Sequence, residues 1–351
     1  MSISGIGGSN LFFHEESVYG AVPTIIDANI INMATRPGAI PSETFSRVSA
    51  RVVGSYTDRS LTLPVRSTVA GTFSFNIDSN NTNSNSIHQM AGVSTTNLTE
   101  DIYSSLKSFS VYLPLTEKDR ETGEEHTSGI PISGLVFNGM MVNQYSISLP
   151  SDNSLLECSL GFIGRNITDS NQSGSLGNWG NIISDDSSRN AIQKLGSPFE
   201  TWTAAISLGG SGAVATTDYM SVSSLSINIA NTLTPGNFAT SGSYISRPTP
   251  SDRSVTGSFT VPYSSDGNNT HDDLIALVKS NGSVKKQFKI VLNSSRAASS
   301  KTLTILMPTA VIMQGQSLNS LSPGYAPMSF SFKAFGLAGS ADEEIQIQNA
   351  G

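Results

Sequence analysis

Short runs of alternating hydrophobic and polar residues recur along the chain, and they predict a protein built mainly from β-strands. In the first half the alternation covers residues 47–53, 68–76, 109–115, 134–137, 142–149 and 155–163. In the second half it covers residues 221–229, 255–262, 288–292, 302–307, 311–313 and 328–335. A period of two places every second side chain on one face of a sheet, so each run predicts a strand with one buried face.

The two halves share motifs that occur in the same order. Gly71-Thr72-Phe73 recurs as Gly257-Ser258-Phe259, in each case inside a predicted strand. Two further matches follow, of 107–113 with 286–292 and of 159–164 with 331–336. Three matches in one order predict an internal duplication. The predicted organisation is an N-terminal arm, a first module, a connector, a second module and a C-terminal arm, at 1–18, 19–164, 165–194, 195–337 and 338–351.

Each module contains one predicted short helix between its second and third strands. In the second module the helix covers 272–279, where apolar residues fall on one face. Asp272 and Asp273 lie in its first turn, where negative charge stabilises the end of a helix dipole. In the first module the counterpart covers 101–106.

Two segments rich in small and turn-forming residues separate the first two strands of each module. The segment in the second module, 231–252, is long and contains several Pro, Gly, Ser and Thr residues. The corresponding segment in the first module, 54–66, is shorter. Long loops in compact proteins are usually functional or disordered, so 231–252 is predicted to be a functional loop.

Composition agrees with the β class and narrows the possible functions. Charged residues make up 13 % of the chain, and the formal net charge is −7. An acidic chain with so few charges is unsuited to gripping nucleic acid through a basic surface, although DNA could still pass by it. The first five residues lack the basic and apolar segments of a secretion signal, and no window approaches the roughly 18 apolar residues of a membrane span. We expect the protein to be made in a cytoplasm and to stay soluble until it assembles.

No group of residues in the sequence nominates a catalytic, cofactor-binding or metal-binding site. The single cysteine, Cys158, lies in an alternating stretch and is predicted to be a small buried residue. The four histidines have neither the spacing of a zinc site nor that of a catalytic pair with the cysteine; they are His14, His88, His126 and His271. Phosphate-binding loops and nucleophile elbows are also missing from the sequence. We therefore predict no site residues, no cofactor and no enzymatic activity.

The second half carries the residues by which the chain resembles the tail tube proteins of long-tailed bacteriophages. The family pattern is a Val-x-Ser-x-Ser-Ile-like strand, a Pro- and Gly-rich loop, and an Arg-x-Val-x-Gly-Ser-Phe-Thr strand. Here these are 222–229, the segment that begins at Asn231, and 253–260. In the first half, the stretch from 130–135 to 161–164 is similar to the family's strand pair that ends in a Gly-flanked aromatic strand.

The resemblance implies two tandem β-sandwich-like modules, each with one short flanking helix. It implies that the chains form rings with a lumen-lining β-barrel, and that the rings stack into a conduit for DNA ejection. The implied partners are further copies of the chain, the tape-measure protein, the tail terminator and baseplate or tip proteins, with double-stranded DNA passing without specific binding. Two modules per chain favour a trimeric ring with pseudo-sixfold symmetry over a hexamer, and the virion tail is the implied location.

Two other classes of protein share this composition. One is another phage structural protein, such as a capsid decoration, sheath or fibre component. The other is a carbohydrate-binding β-sandwich, in which Trp179, Trp202 and Tyr219 would form a sugar platform. Because aromatic residues make up only 7 % of the chain, these three are better explained as core or interface residues.

Overall fold

The computed structural model describes residues 10–21, 30–34, 40–51, 60–79, 81–95, 106–114, 134–150, 155–169, 197–210, 219–236, 244–262, 271–294, 301–315, 327–336 and 344–350. In chain order the elements of the first half are β1 (Asn10–Glu15), β2 (Ile31–Ala34), β3 (Ser42–Arg51), β4 (Ser60–Asn76), α1 (Asn81–Met90), β5 (Phe109–Pro114), β6 (Gly134–Leu149), β7 (Glu157–Gly164) and β8 (Asn166–Asp169). The second half contains a 3-10 turn (Thr201–Thr203), β9 (Ala205–Gly210), β10 (Ser224–Gly236), β11 (Ser246–Val261), α2 (His271–Lys279), β12 (Lys286–Ser294), β13 (Lys301–Gly315), β14 (Met328–Phe335) and β15 (Gln346–Ala350). The predicted β class is therefore confirmed.

The described strands form one antiparallel sheet that does not close on itself. In the first half the strand order is β3-β4-β7-β6-β5-β1-β2, and β8 also pairs with β6. In the second half the order is β10-β11-β14-β13-β12-β9, and β15 also pairs with β13. The two orders correspond strand for strand apart from β2, and pairing of β6 with β10 joins the halves. β1 and β15 come from the segments that the sequence pattern assigns to the two arms.

Irregularities in the pairing fall at corresponding places in the two halves. Gly71 on β4 lies opposite Phe162, and Gly257 on β11 lies opposite Phe332. The same number of residues before each glycine, a proline lies next to a shift in the pairing register. Pro64 pairs with Arg47 of β3, and Pro250 pairs with Leu233 of β10. Proline has no amide hydrogen to donate, so bulges are among the few positions where a sheet accepts it. The glycine motifs of the two halves are thus equivalent in the fold.

Strand pairing corrects the other two sequence matches by two residues. By their partners on β6 and β13, Val111 corresponds to Phe288, whereas the sequence match aligned Phe109 with Phe288. The pairing of Phe162 and Phe332 with equivalent glycines likewise shifts the match of 159–164 by two. A shift of two leaves every side chain on its original face, so an alternating pattern cannot detect it.

Two pairs of predicted strands are each one continuous strand. The runs 134–137 and 142–149 merge into β6, and 302–307 and 311–313 merge into β13. In β6 the alternation breaks at Gly139, whose φ of 67° is in the left-handed region that glycine adopts at little cost. The backbone continues through this kink because the strand changes partners there, from β5 and β8 to β7 and β10.

The predicted loops at 231–252 and 54–66 are wrong at their ends. β10 continues to Gly236 and β11 begins at Ser246, while β4 begins at Ser60. The ends of β10 and β11 form one arm of a long hairpin, in which the exposed Thr232, Thr234 and Thr249 pair through their backbones beside the buried Leu233. Threonine, proline and glycine in such an arm give it a composition like that of a loop.

Of the two predicted helices, 272–279 is confirmed as α2. The predicted helix at 101–106 lies outside the described residues except for Leu106, which is not helical. The helix that the structure has between β4 and β5 is α1, and its sequence is rich in Asn and Ser, which are weak helix formers. Burial of Ile87, His88 and Met90 stabilises this helix despite its low intrinsic propensity.

One cluster of buried hydrophobic side chains spans both halves of the chain. It includes alternate residues of the central strands, so the sheet buries one face. Aromatic rings pack closely within it, for example Phe288 and Phe332 with ring centroids 5.1 Å apart, and Phe73 and Phe137 with centroids 5.6 Å apart. The opposite face of the same strands carries mainly polar side chains.

Candidate functional site

Hydroxyl and amide side chains cover the face of the central strands that points away from the core. We call this the polar face. Its residues include Thr68, Thr72, Ser74 and Asn76 on β4, Ser159 on β7, Gln144, Ser146 and Ser148 on β6, Ser224, Ser226 and Asn228 on β10, Ser254, Thr256, Ser258 and Thr260 on β11, and Ser329 and Ser331 on β14. They share one face because directly paired residues of neighbouring strands point to the same side.

Hydrogen bonds between side chains link the strands across the polar face. The pairs are Ser159 with Ser146 (2.5 Å between hydroxyl oxygens), Gln144 with Asn228 (2.8 Å from amide nitrogen to amide oxygen), Ser226 with Ser258 (2.9 Å) and Thr260 with Ser329 (2.9 Å). They connect β7, β6, β10, β11 and β14 in order. The polar face thus continues across the boundary between the two halves.

Charged groups are sparse on the polar face. Among its described side chains, Glu157, Lys333 and Asp252 are the charged ones. The Lys333 ammonium lies 5.3 Å from the centroid of the Phe335 ring. Proteins hold nucleic acid phosphates mainly through Lys and Arg, so this surface is hydrated but offers DNA little electrostatic attraction.

A buried carboxylate, Glu16, fixes the kink in β6. It accepts hydrogen bonds from the Gly139 amide (2.8 Å), the Ser110 hydroxyl (2.9 Å) and the Gly20 amide (2.7 Å). The side chain ties the end of β1 to β5 and to the point where β6 changes partners. The sequence alone does not single out Glu16, because only the fold separates it from the exposed Glu15 beside it.

Cys158 and His88 meet the same tyrosine in the core. The hydroxyl of Tyr145 lies 3.0 Å from Nδ1 of His88 and 3.9 Å from Sγ of Cys158. Burial raises the pKa of the Cys158 thiol and lowers the pKa of His88 from 6.5 to about 3, so both groups are neutral at pH 7. Cys158 is buried, as predicted. No spacing in the sequence indicates that Cys158 and His88 contact the same tyrosine, and their neutral state suits a packed core better than a nucleophile.

The other residues considered for chemistry belong to separate elements where the structure describes them: Trp202 lies in the 3-10 turn, and His271 is the first residue of α2. His14 is buried, with Nδ1 2.8 Å from the carbonyl oxygen of Glu15. His126 and Trp179 lie outside the described residues, whereas Tyr219 is exposed beside β9. Within the described ranges, no three His, Cys, Asp or Glu side chains are placed to hold a metal ion. No helix in that part of the chain has the length and hydrophobicity to cross a membrane.

The strands β3-β4-β7-β6-β10-β11-β14-β13, which we call the central sheet, have an open edge at each end among the described strands. Among the described strands, β3 pairs only with β4, and β13 beyond Ala310 pairs only with β14. Phe45 on β3 is 53 % exposed and Met313 on β13 is 58 % exposed. We call these the β3 edge and the β13 edge. Unpaired edges carrying exposed hydrophobic residues are surfaces on which another strand can add.

A one-sided polar sheet with an open edge at each end defines a class of β protein suited to assembly through strand pairing. The family model for phage tail tube protein matches residues 8–334, and the chain belongs to this family. No curated protein matches the chain. Membership confirms the resemblance found in the sequence and gives the protein a structural role in the virion tail, as a subunit that assembles with copies of itself into a tube.

Proposed function

We propose that the chain forms stacked rings that enclose the conduit for DNA ejection into the host, and that it has no enzymatic activity. The observation that carries this proposal is the nearly uncharged polar face on a chain of the tail tube family. A conduit must be wet and must not retain phosphates, and Ser, Thr and Asn side chains meet both needs. The chain would be made and assembled in the host cytoplasm, and would reside in the virion tail.

The proposed building unit is a duplicated module, at 19–164 and 195–337. Support comes from the matching strand orders, from Gly71 and Gly257 opposite phenylalanines, and from the prolines at equivalent register shifts. In this division β1 lies outside the first module and adds to it by pairing with β5, and β15 lies outside the second module and adds to it by pairing with β13. Duplication favours a trimeric ring, in which three chains supply six modules, over a hexamer.

The geometry of the sheet allows a rough size for such a ring. Eight strands, β3-β4-β7-β6-β10-β11-β14-β13, follow one another in the central sheet of one chain. With strands about 4.8 Å apart and tilted by about 40°, a barrel of about 24 strands from three chains would measure about 48 Å between opposite backbones. After side chains are allowed for, that leaves room for a B-form duplex. The polar face would line the lumen.

Further partners follow from the same proposal. The tape-measure protein would occupy the lumen before DNA, and the tail terminator and baseplate or tip proteins would cap the tube. We also expect the N-terminal arm and 231–252 to bridge successive rings. Within 231–252, Tyr244 pairs with Ser67 and Arg247 donates to the Leu106 carbonyl at 2.8 Å, both in the first module of the same chain. These two residues are therefore engaged within their own chain; residues 237–243 of the segment lie outside the described residues.

Negative-stain electron microscopy of the purified protein, over a range of concentrations and times, tests the assembly. We expect hollow tubes or stacked rings with a central pore, and top views with three chains. Solid fibres, or particles that never develop a pore at any concentration, would overturn the proposal.

A charge substitution tests the lumen assignment. Ser258→Lys would place positive charges inside the tube, so assembled tubes should retain fluorescent duplex DNA with a steep dependence on salt. Ser283→Lys, in the exposed turn after α2, adds the same charge elsewhere and serves as the control. Equal retention by the two variants would show that Ser258 does not face the lumen.

A further inference from the structure

We propose that neighbouring copies of the chain join by pairing the β3 edge of one copy with the β13 edge of the next, in the register of the internal β10–β6 junction. This inference rests on the proposed function and names the surface through which the ring closes. It follows from strand positions that the two halves share.

Inside one chain, the β10–β6 junction shows how one module receives the next. β5 occupies one edge of β6 up to Met140, and β10 takes over the same edge by pairing 225–230 with 144–149. β7 and β8 occupy the other edge of β6. The first module is thus followed by the second without a break in the sheet.

β13 repeats this arrangement but lacks the incoming strand. β12 occupies one edge of β13 up to Ala310, while β14 and β15 occupy the other. Beyond Ala310, the edge that corresponds to the β10 site is open among the described strands. β3, the counterpart of β10, has β4 on one edge and an open edge on the other. The open edge of β13 therefore corresponds to the site where β6 receives β10, and β3 corresponds to the strand that would pair there.

The register follows from residues with equivalent partners. Thr44 corresponds to Ala230, because their partners Thr68 and Ser254 each lie three residues before Gly71 and Gly257. Gln314 corresponds to Gln144, because each is the first paired residue after the bulge in its strand. Their partners, Ser331 and Gly161, each come directly before the phenylalanine that lies opposite the glycine. Since Ala230 pairs with Gln144, Thr44 of one copy would pair with Gln314 of the next.

Exposed apolar residues lie at the proposed contact. Phe45 corresponds to Asn231, which is 3 % exposed and donates its side-chain amide to the Val142 carbonyl at 3.2 Å. Val142 corresponds to Ile312, the neighbour of Met313. Phe45 of one copy would therefore lie at the backbone of Ile312 of the next, one residue from Met313. Exposed apolar residues in place of the internal polar contact suit a junction that forms between separate molecules, because burial then drives association.

Paired cysteines test the register. Directly opposite residues of antiparallel strands have Cα atoms about 4.5–5.5 Å apart, within the range of a disulfide. Oxidation of the Thr44→Cys, Gln314→Cys double variant under assembly conditions should give covalent dimers and then trimers on a non-reducing gel. The Gln144→Cys, Ala230→Cys variant should close within one chain and give no ladder. The native Cys158 is buried and should not interfere.

The outcomes separate the junction from the proposed function. A ladder that ends at three chains supports both the junction and the trimer, whereas one that continues to six keeps the junction and overturns the trimer. Rings without cross-links, while the intrachain control closes, overturn the junction and leave the proposed function standing. Failure of the wild-type protein to form rings or tubes overturns the proposed function, and the junction with it.

Edge-blocking variants give a second test that needs no disulfide. Phe45→Asp should abolish assembly through the β3 edge, and Met313→Asp should abolish it through the β13 edge, with each protein folded and monomeric. Mixed together, they should form a dimer that grows no further, because one intact edge of each kind remains. Val284→Asp, at another exposed hydrophobic residue, should assemble normally. Rings formed by either edge variant, or a mixture of folded chains that stays monomeric, would overturn the proposal.

Discussion

Gly257 lies where neighbouring atoms leave no room for a side chain, and Gly257→Ala is expected to destabilise the protein. A Cβ atom there would lie less than 3.0 Å from the ring of Phe332 and from the carbonyl oxygen of Ser226. Both neighbours are fixed, since Phe332 is 1 % exposed and Ser226 belongs to the adjacent paired strand. Overpacking of this kind costs about 1–3 kcal/mol, and the lower entropy of the unfolded chain returns about 0.4–1 kcal/mol. We expect a net loss of about 1–2 kcal/mol.

The matched control is Gly210→Ala at the end of β9, where an added Cβ would meet nothing within 4 Å. Urea unfolding followed by circular dichroism should give a lower midpoint for Gly257→Ala than for the wild type, with the control unchanged or slightly raised. At about 2 °C per kcal/mol, the thermal midpoint of Gly257→Ala should fall by a few degrees. Equal midpoints for the two variants would refute the close packing of β11 on β14.

Three further predictions concern buried polar groups. Glu16→Gln should lower the free energy of unfolding in urea by roughly 2–3 kcal/mol, because it removes a carboxylate that accepts two backbone amides. Glu15→Gln, whose partner Lys107 is exposed, should lower it by under about 1 kcal/mol. Similar losses for the two variants would contradict the Glu16 network. Because the pKa of His88 is lowered from 6.5 to about 3, only the unfolded chain gains this proton between those values, so stability should fall with decreasing pH by up to about 1.4 kcal/mol per unit. His88→Gln should flatten that dependence, and an unchanged slope in urea titrations at pH 7, 6 and 5 would contradict it. The Cys158 thiol should resist a thiol reagent until urea unfolds the protein, so rapid reaction in the native state would refute its burial.

The sequence predicts this fold well wherever burial imposes a period. Alternation located most of the central strands, and acidic residues before an apolar face located α2. The matched motifs around Gly71 and Gly257 each place a glycine opposite a phenylalanine of the neighbouring strand, a close contact that alternation alone does not specify.

Features held by tertiary contacts escaped prediction. α1 has a sequence typical of a loop and depends on burial of Ile87 and Met90. β6 and β13 continue through breaks in alternation because their partners change there, and no local signal records a change of partner. The polar face continues from one half of the chain to the other through the β10–β6 pairing, which no local sequence pattern records.

The central claim is that the sheet of this chain closes with its copies around a lumen lined by the polar face. Cryo-electron microscopy of assembled tubes tests it most directly, because the map shows which face of the sheet points inward and how many chains form a ring. We predict three chains per ring, Ser226 and Ser258 toward the lumen, and α1 and α2 outside. A map with the helices toward the lumen, or with the polar face buried between chains, would contradict the account.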